Sequence, residues 1–484
     1  MKERFVGINR YTSFIPFILI SALTFLIYEQ TYAPNGIIFP NNDFVGFLFL
    51  ITANLTLVAV TSYVQRFDKN QTKVRMFLLY GLLVIVALSV LNLIIMPMDQ
   101  VINVTTKEGD IVQMILNISP TDKFRSLMLL FVTASYIYLM AIVLPRKEFF
   151  RGFVLLISFS LLFYALAIAI YSFVTEFDVY FDLLRIGYGN ASLPVPVGPY
   201  DNRNTFASFL LTGFMFSVFL YFFYKTRKRR FIFALLTIPL LIAIYFTFSK
   251  TNMLLSLLTF ALVFFRHLFM LIKKHRTRFW IELSLFFLLI GLVALFRFTP
   301  ALASTKVARA ITNLLPSNLL EIGQSTMAAR FELWRLAYDL IISRPRSLLL
   351  GDGIYINRVL YHDRIILENP SWSLSGYGNY HSGYFEILHS FGLVGFLIYV
   401  IVMLALLIKI FVFMKKMPPP GYFLFLAFIV FVSRASVESI MLMTFKTESI
   451  LASFALIMPY FYFSNLRQEQ KARTLALVKE VTTE

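Results

Sequence analysis

The chain has 484 residues, of which 58% are hydrophobic and 14% charged, with a mean hydropathy of +0.75. A soluble domain carries about 25% charged residues, and apolar runs of roughly 18 or more residues recur here from end to end, so an ordinary soluble fold is excluded. The net charge of +18 does not mark a nucleic-acid binder, because Lys and Arg fall in short clusters between alternate apolar runs, and the absence of cysteine excludes disulfides, thiolate catalysis and cysteine metal sites.

Taken in chain order, residues 1–11 are basic, and the apolar run after them has no small-residue cleavage site. A retained first span is expected rather than a signal peptide. Hydropathy predicts spans at 13–29, 44–64, 76–96, 125–145, 152–175, 204–224, 231–248, 253–272, 279–298, 389–414, 421–443 and 448–463. The fold class expected is therefore all-α: a polytopic bundle of about twelve transmembrane helices. Loops on one face hold 25 Lys plus Arg and the short loops on the other hold 6, which puts both termini in the cytoplasm. The organisation that follows is helices 1–9 over 1–298, a large extracytoplasmic loop over 299–388, helices 10–12 over 389–463 and a cytoplasmic tail over 464–484. A helical bundle needs only short connections, so the large loop asks for a purpose. Within it, Arg330 opens an amphipathic helix whose stripe is Phe331, Trp334, Tyr338 and Ile341, ended by Pro345. No solenoid repeat and no inverted pair of broken helices of the transporter kind is present.

Several polar positions could carry chemistry. The external loop 176–203 has Arg185 ahead of Gly187 and Gly189, and Asp201-Asn202-Arg203-Asn204 enters the next span. The short outer turn after the seventh span reads Ser249-Lys250-Thr251-Asn252. Cations on the outer face run against the orientation bias; a bound anion explains them, and snorkelling to lipid headgroups is the plainer alternative. Arg330 is followed by Arg344-Pro345-Arg346 and Gly351-Asp352-Gly353, which read equally well as solvated loop charges. His381-Ser382 stands nine residues before Gly392-Leu393-Val394-Gly395. Those glycines would lie inside a helix, where each costs about 1 kcal/mol relative to alanine, and would allow close helix approach. Taken alone, His381 reads as a hydrogen-bonded interfacial histidine sooner than as a catalytic one. Arg434 and Glu438 are i,i+4 partners in the eleventh span, a structural ion pair or else part of a polar cavity wall. His267 and His275 look like topology determinants, and His362 and His389 have no distinctive neighbours. No HExxH, P-loop or dinucleotide fingerprint occurs, and no adjacent acidic pair suggests a divalent metal.

These motifs together resemble the O-antigen ligase and O-antigen polymerase superfamily of bacterial membrane glycosyltransferases. The resemblance rests on His381-Ser382-x9-Gly392-x2-Gly395, on Arg330-x-x-Leu333-Trp334, on Pro345 and Gly351-x-Gly353, and on Asn204-x-x-Ala207. It covers roughly 200–400. It implies an undecaprenyl-diphosphate-linked glycan donor, a glycan acceptor, no cofactor, no metal and no nucleic acid, in the bacterial plasma membrane with other polysaccharide-assembly proteins as further partners. Carried over, His381 is the essential histidine and Arg330 the essential loop arginine. Lys250 stands where the family often has arginine, and Lys250, Arg185 and Arg203 are expected to bind the diphosphate. Ser382, Gly392, Gly395 and Asn204 complete the motif. Polymerisation of repeat units and ligation of a finished glycan are both compatible with the resemblance, polymerisation being preferred, and a lipid or polysaccharide transporter is the rival from another class.

Overall fold

A computed structural model describes residues 73–105, 109–143, 147–186, 194–200, 203–224, 226–274, 276–298, 319–368, 380–416, 418–438 and 474. The expected spans 13–29, 44–64 and 448–463 lie outside the described residues, as do Gly187, Gly189, Asp201, Asn202, His275 and the loop segments 299–318 and 369–379. The described elements are α1 (Lys73–Ile95), β1 (Asp99–Thr105), β2 (Ile111–Asn117), α2 (Pro120–Val143), α3 (Lys147–Thr175), α4 (Phe177–Ile186), α5 (Arg203–Phe223) and α6 (Arg227–Phe246). They continue with α7 (Lys250–Lys274), α8 (Arg276–Phe298), α9 (Leu319–Ile342), α10 (Pro345–Leu350), α11 (Ile356–Glu368), α12 (Gly383–Lys416) and α13 (Pro418–Ala435). Among the described residues, five helices are long and apolar enough to cross a membrane: those at Ser158–Thr175, Arg203–Phe223, Arg227–Phe246, Lys250–Phe269 and Gly383–Val412. The protein is thus a predominantly helical integral membrane protein.

An all-α expectation fails at one place. The segment between α1 and α2 is an antiparallel hairpin, with Asp99 opposite Asn117 and Thr105 opposite Ile111. Its period-two pattern explains it: Ile102 and Met114 face inwards and are buried, while Val101 and Ile115 face outwards. The β-branched runs Val101–Val104 and Ile111–Val112 on either side of Gly109 carried this signal. After the hairpin, Ser119 caps α2 by accepting the Asp122 amide at 3.1 Å, and Asp122 reaches back to the Ser119 amide at 3.0 Å, with Pro120 at the first helical position.

Two compact units divide the chain, Met1–Leu155 with Ala329–Glu484, and Leu156–Ala328. In the first unit, Ile102 and Met114 of the hairpin share one apolar core with Leu336 and Leu340 of α9, Leu360 of α11 and Tyr380. Arg330 does not open its helix: α9 begins at Leu319 and runs to Ile342. The stripe it buries matches the expected one only in part. Ile341 is buried as expected, along with Leu333, Leu336, Ala337 and Leu340, whereas Phe331 and Tyr338 are more than half exposed, because the core lies about one helical step round from the aromatic side. In the second unit, α5 and α6 pack as an antiparallel pair, and the Ser217 hydroxyl donates to the Phe233 carbonyl at 2.9 Å.

Helix α12 is broken at Gly392, which has φ 64° and ψ −172°. The glycine therefore does not lie inside a regular helix as its spacing suggests, although the close helix approach expected of it is present, against α10. A Cβ there would lie 2.3 Å from the carbonyl carbon of Leu349, and a Cβ on Gly351 would lie 2.4 Å from the Phe391 amide nitrogen. Two backbones meet at these glycines, and each has a positive φ that favours glycine. The contact joins the loop after α10 to the kink: the Asp352 amide donates to His389 O at 2.8 Å and the Gly353 amide to Ser390 O at 2.9 Å.

Candidate functional site

The first unit brings together Arg330 and His381, two residues predicted from the sequence, at a carboxylate not assigned to the site. Arg330 Nη2 donates to Glu438 Oε1 at 3.4 Å, and His381 Nδ1 lies 3.8 Å from Glu438 Oε2. All three side chains are mostly buried but not sealed, being 12%, 17% and 14% exposed. Glu438 is an i,i+4 neighbour of Arg434 as expected, its amide donating to Arg434 O at 2.9 Å, but α13 ends at Ala435 and Glu438 lies in the turn that follows. Burial alone would raise the Glu438 carboxyl. The nearby His381 imidazole, then the charges of Arg330 and Arg434, outweigh it and hold the group below its ordinary value, so it is ionised.

Local structure sets this geometry. Arg330 and Trp334 stand one turn apart on α9, hence on one face. Trp334 Nε1 donates to Tyr380 O at 3.0 Å, tying the residue before His381 to the same helix that carries Arg330. On the other side, the Gly383 amide donates to Glu438 O at 3.0 Å, and the buried Ser382 stands just before α12, its carbonyl accepting the Glu386 amide at 3.2 Å. His381 itself has φ 45°, an uncommon conformation for a residue with a Cβ. Such strain persists where the surroundings over-determine it, and it clusters at functional sites.

The nearby arginines are not solvated loop charges. Arg344 Nη2 donates to Asp352 Oδ2 at 2.7 Å and Arg346 Nη2 to Asp352 Oδ1 at 3.3 Å, while the Ser347 hydroxyl donates to Asp352 Oδ1 at 2.6 Å. Burial pushes the Asp352 carboxyl up, but the Arg344 charge and the contact with His389 overcome it and leave the group well below the usual carboxylate range. His389, expected to have no distinctive neighbours, is fully buried with Nε2 2.8 Å from Asp352 Oδ2. No local signal in the sequence marks it, because its partner lies 37 residues earlier.

The remaining expected residues belong to the second unit. Arg203 is the exposed first residue of α5, and Asn204 beside it accepts a hydrogen bond from the Ser249 hydroxyl at 2.8 Å. Asn252 Nδ2 donates to the same hydroxyl at 2.8 Å, so Asn204 and the Ser249–Asn252 turn are one polar cluster, with Lys250 opening α7. Arg185 sits in the last turn of α4; its side chain lies outside the described residues.

No curated protein matches the chain. A family model described as O-antigen ligase does match, over residues 235–400, from the middle of α6 into α12. That segment contains Lys250, Arg330, His381 and the kink glycines, and over it the chain is similar to the O-antigen ligase family.

Proposed function

We propose that the protein is a membrane glycosyltransferase that takes an undecaprenyl-diphosphate-linked glycan as donor and polymerises polysaccharide repeat units on the outer face of the plasma membrane. The observation that carries this reading is the convergence of Arg330 and His381 on Glu438 from segments joined only by the tertiary fold. With Nδ1–H turned towards Glu438, His381 Nε2 holds a lone pair for the acceptor hydroxyl. The hydroxyl oxygen forms the new bond to the anomeric carbon of the donor, its proton passes to Nε2, and the bond from that carbon to the phosphate oxygen breaks with inversion. The electron pair leaves on the diphosphate, whose negative charge the Arg330 guanidinium neutralises. Arg330 releases Glu438 to do so, and the 3.4 Å contact is long for a charge-assisted bond, so the exchange costs little. Lys250, Arg185 and Arg203 are further proposed diphosphate ligands on the strength of their charge and the family resemblance.

Ligation of a finished glycan is the second reading, favoured by the description of the matched family. Product length in a strain lacking the protein separates the two: loss of polymer supports polymerase, and full-length polymer stranded on its lipid carrier supports ligase. For either, purified protein is assayed with lipid-linked glycan. His381→Ala and Arg330→Ala should each lower transfer by at least about 100-fold while the protein stays folded. Full activity in either variant would sink the assignment.

A further inference from the structure

Behind the site lies a buried polar chain for which the proposed reaction has no use. The Tyr380 ring is fully buried and stacks on Tyr361 at 4.1 Å between centroids and 13° between planes. Its hydroxyl donates to Asn357 O at 2.8 Å and lies 2.5 Å from His389 Nδ1. The Asp352 carboxylate can only accept, so Nε2 of His389 carries the proton towards it, and Nδ1 accepts from the Tyr380 hydroxyl, whose one proton is shared between Nδ1 and Asn357 O. The other nitrogen of His389 faces Asp352 Oδ2 at 2.8 Å, and Asp352 is fixed by Arg344 and Ser347. The chain therefore runs Arg344–Asp352–His389–Tyr380 and ends at the peptide that enters His381.

We infer that Tyr380, held by the buried His389–Asp352 pair, is a positioning residue that fixes the strained backbone of His381 and so aims its imidazole at Glu438; this rests on the reading of His381 as the base. Three contacts stop rotation at Tyr380: the ring stack, the hydroxyl pair, and the bond from Trp334 Nε1 to its carbonyl. The residue that follows them has φ 45°, a conformation uncommon for a residue with a Cβ. Removing the hydroxyl link lets the peptide relax towards ordinary φ, and an imidazole shifted by about 1 Å loses as much as about 100-fold in rate.

The test measures kcat, donor KM and melting temperature for purified Tyr380→Phe, His389→Asn and His389→Gln. Asparagine places its amide group where ring Nδ1 stood, the carbonyl oxygen accepting from Tyr380; glutamine replaces Nε2 with an amide that donates to Asp352 and keeps only that link. Tyr380→Phe and His389→Gln should lower kcat about 10- to 100-fold with donor KM within about twofold, whereas His389→Asn retains more of it. Should Tyr380→Phe fail to fold, the His389 pair decides. Unchanged kcat in folded Tyr380→Phe overturns the inference, as does equal loss in the two His389 variants that tracks melting temperature, the mark of a merely structural role. Full activity in His381→Ala overturns the base assignment instead, whatever the Tyr380 result.

Discussion

His381 combines two properties that pull against each other. A positive φ costs a residue with a Cβ about 1–2 kcal/mol, and glycine escapes that cost. His381→Gly should therefore melt higher than His381→Ala by an amount matching about 1 kcal/mol, while both lack transfer activity; equal melting temperatures would show that the backbone is unstrained. Its carboxylate partner makes a second expectation. Glu438→Gln keeps the shape and removes the charge that orients the imidazole, so kcat should fall by about 100-fold or more with donor KM little changed. Arg330 and His381 were legible in the sequence as residue types in recognisable surroundings. Glu438 was not, because it pairs with an arginine 108 residues earlier and no local pattern encodes that distance.

At the scale of elements, the kink in α12 shows what motif reading delivers and what it leaves out. The spacing of Gly392 and Gly395 identified important glycines, but their residue type fitted a helix-packing role as well as a backbone crossing. The structure decides for the crossing at Gly392, where the Leu349–Leu350 backbone fills the space of a Cβ. Gly392→Ala combines a disfavoured φ with a 2.3 Å overlap on backbone, so it should destabilise the fold by about 2–4 kcal/mol. Melting of the purified variant checks this, and a change within measurement error would contradict the contact. The hairpin between α1 and α2 is the opposite case: its alternation was present in the sequence, but the long apolar runs on both sides dominated the reading.

For the whole molecule, two measurements follow from charge. Asp352 is ionised and held below its ordinary value by Arg344 and His389. A depressed carboxylate stabilises the fold fully above its unfolded value, about 3.9, and loses that contribution as pH falls from there towards the folded value. Melting temperature should therefore show no Asp352 contribution to its pH dependence from pH 7 to about pH 5. The contribution should be lost below about pH 4, and Asp352→Asn should remove that acid-range step. Loss of the carboxylate also removes the opposite charge beside the buried Arg344, at a cost of about 3–5 kcal/mol. Orientation can be read directly because the chain has no cysteine. A cysteine at Ile111 of the hairpin should react with a membrane-impermeant maleimide in intact cells, and one at Lys228 should not; the reverse would invert the topology.

Apolar run length, the distribution of Lys and Arg, and the residue types of the motifs are properties of the chain itself. The sequence alone therefore determined that this is a helical membrane protein and that His381 and Arg330 are its candidate reactive residues. Which carboxylate faces the imidazole, what clamps Tyr380, where α12 breaks and which stripe of α9 is buried were decided only by tertiary structure. Each of these depends on a partner supplied from a distant part of the chain, and the energy of such a contact exists only once the fold has closed the intervening loop.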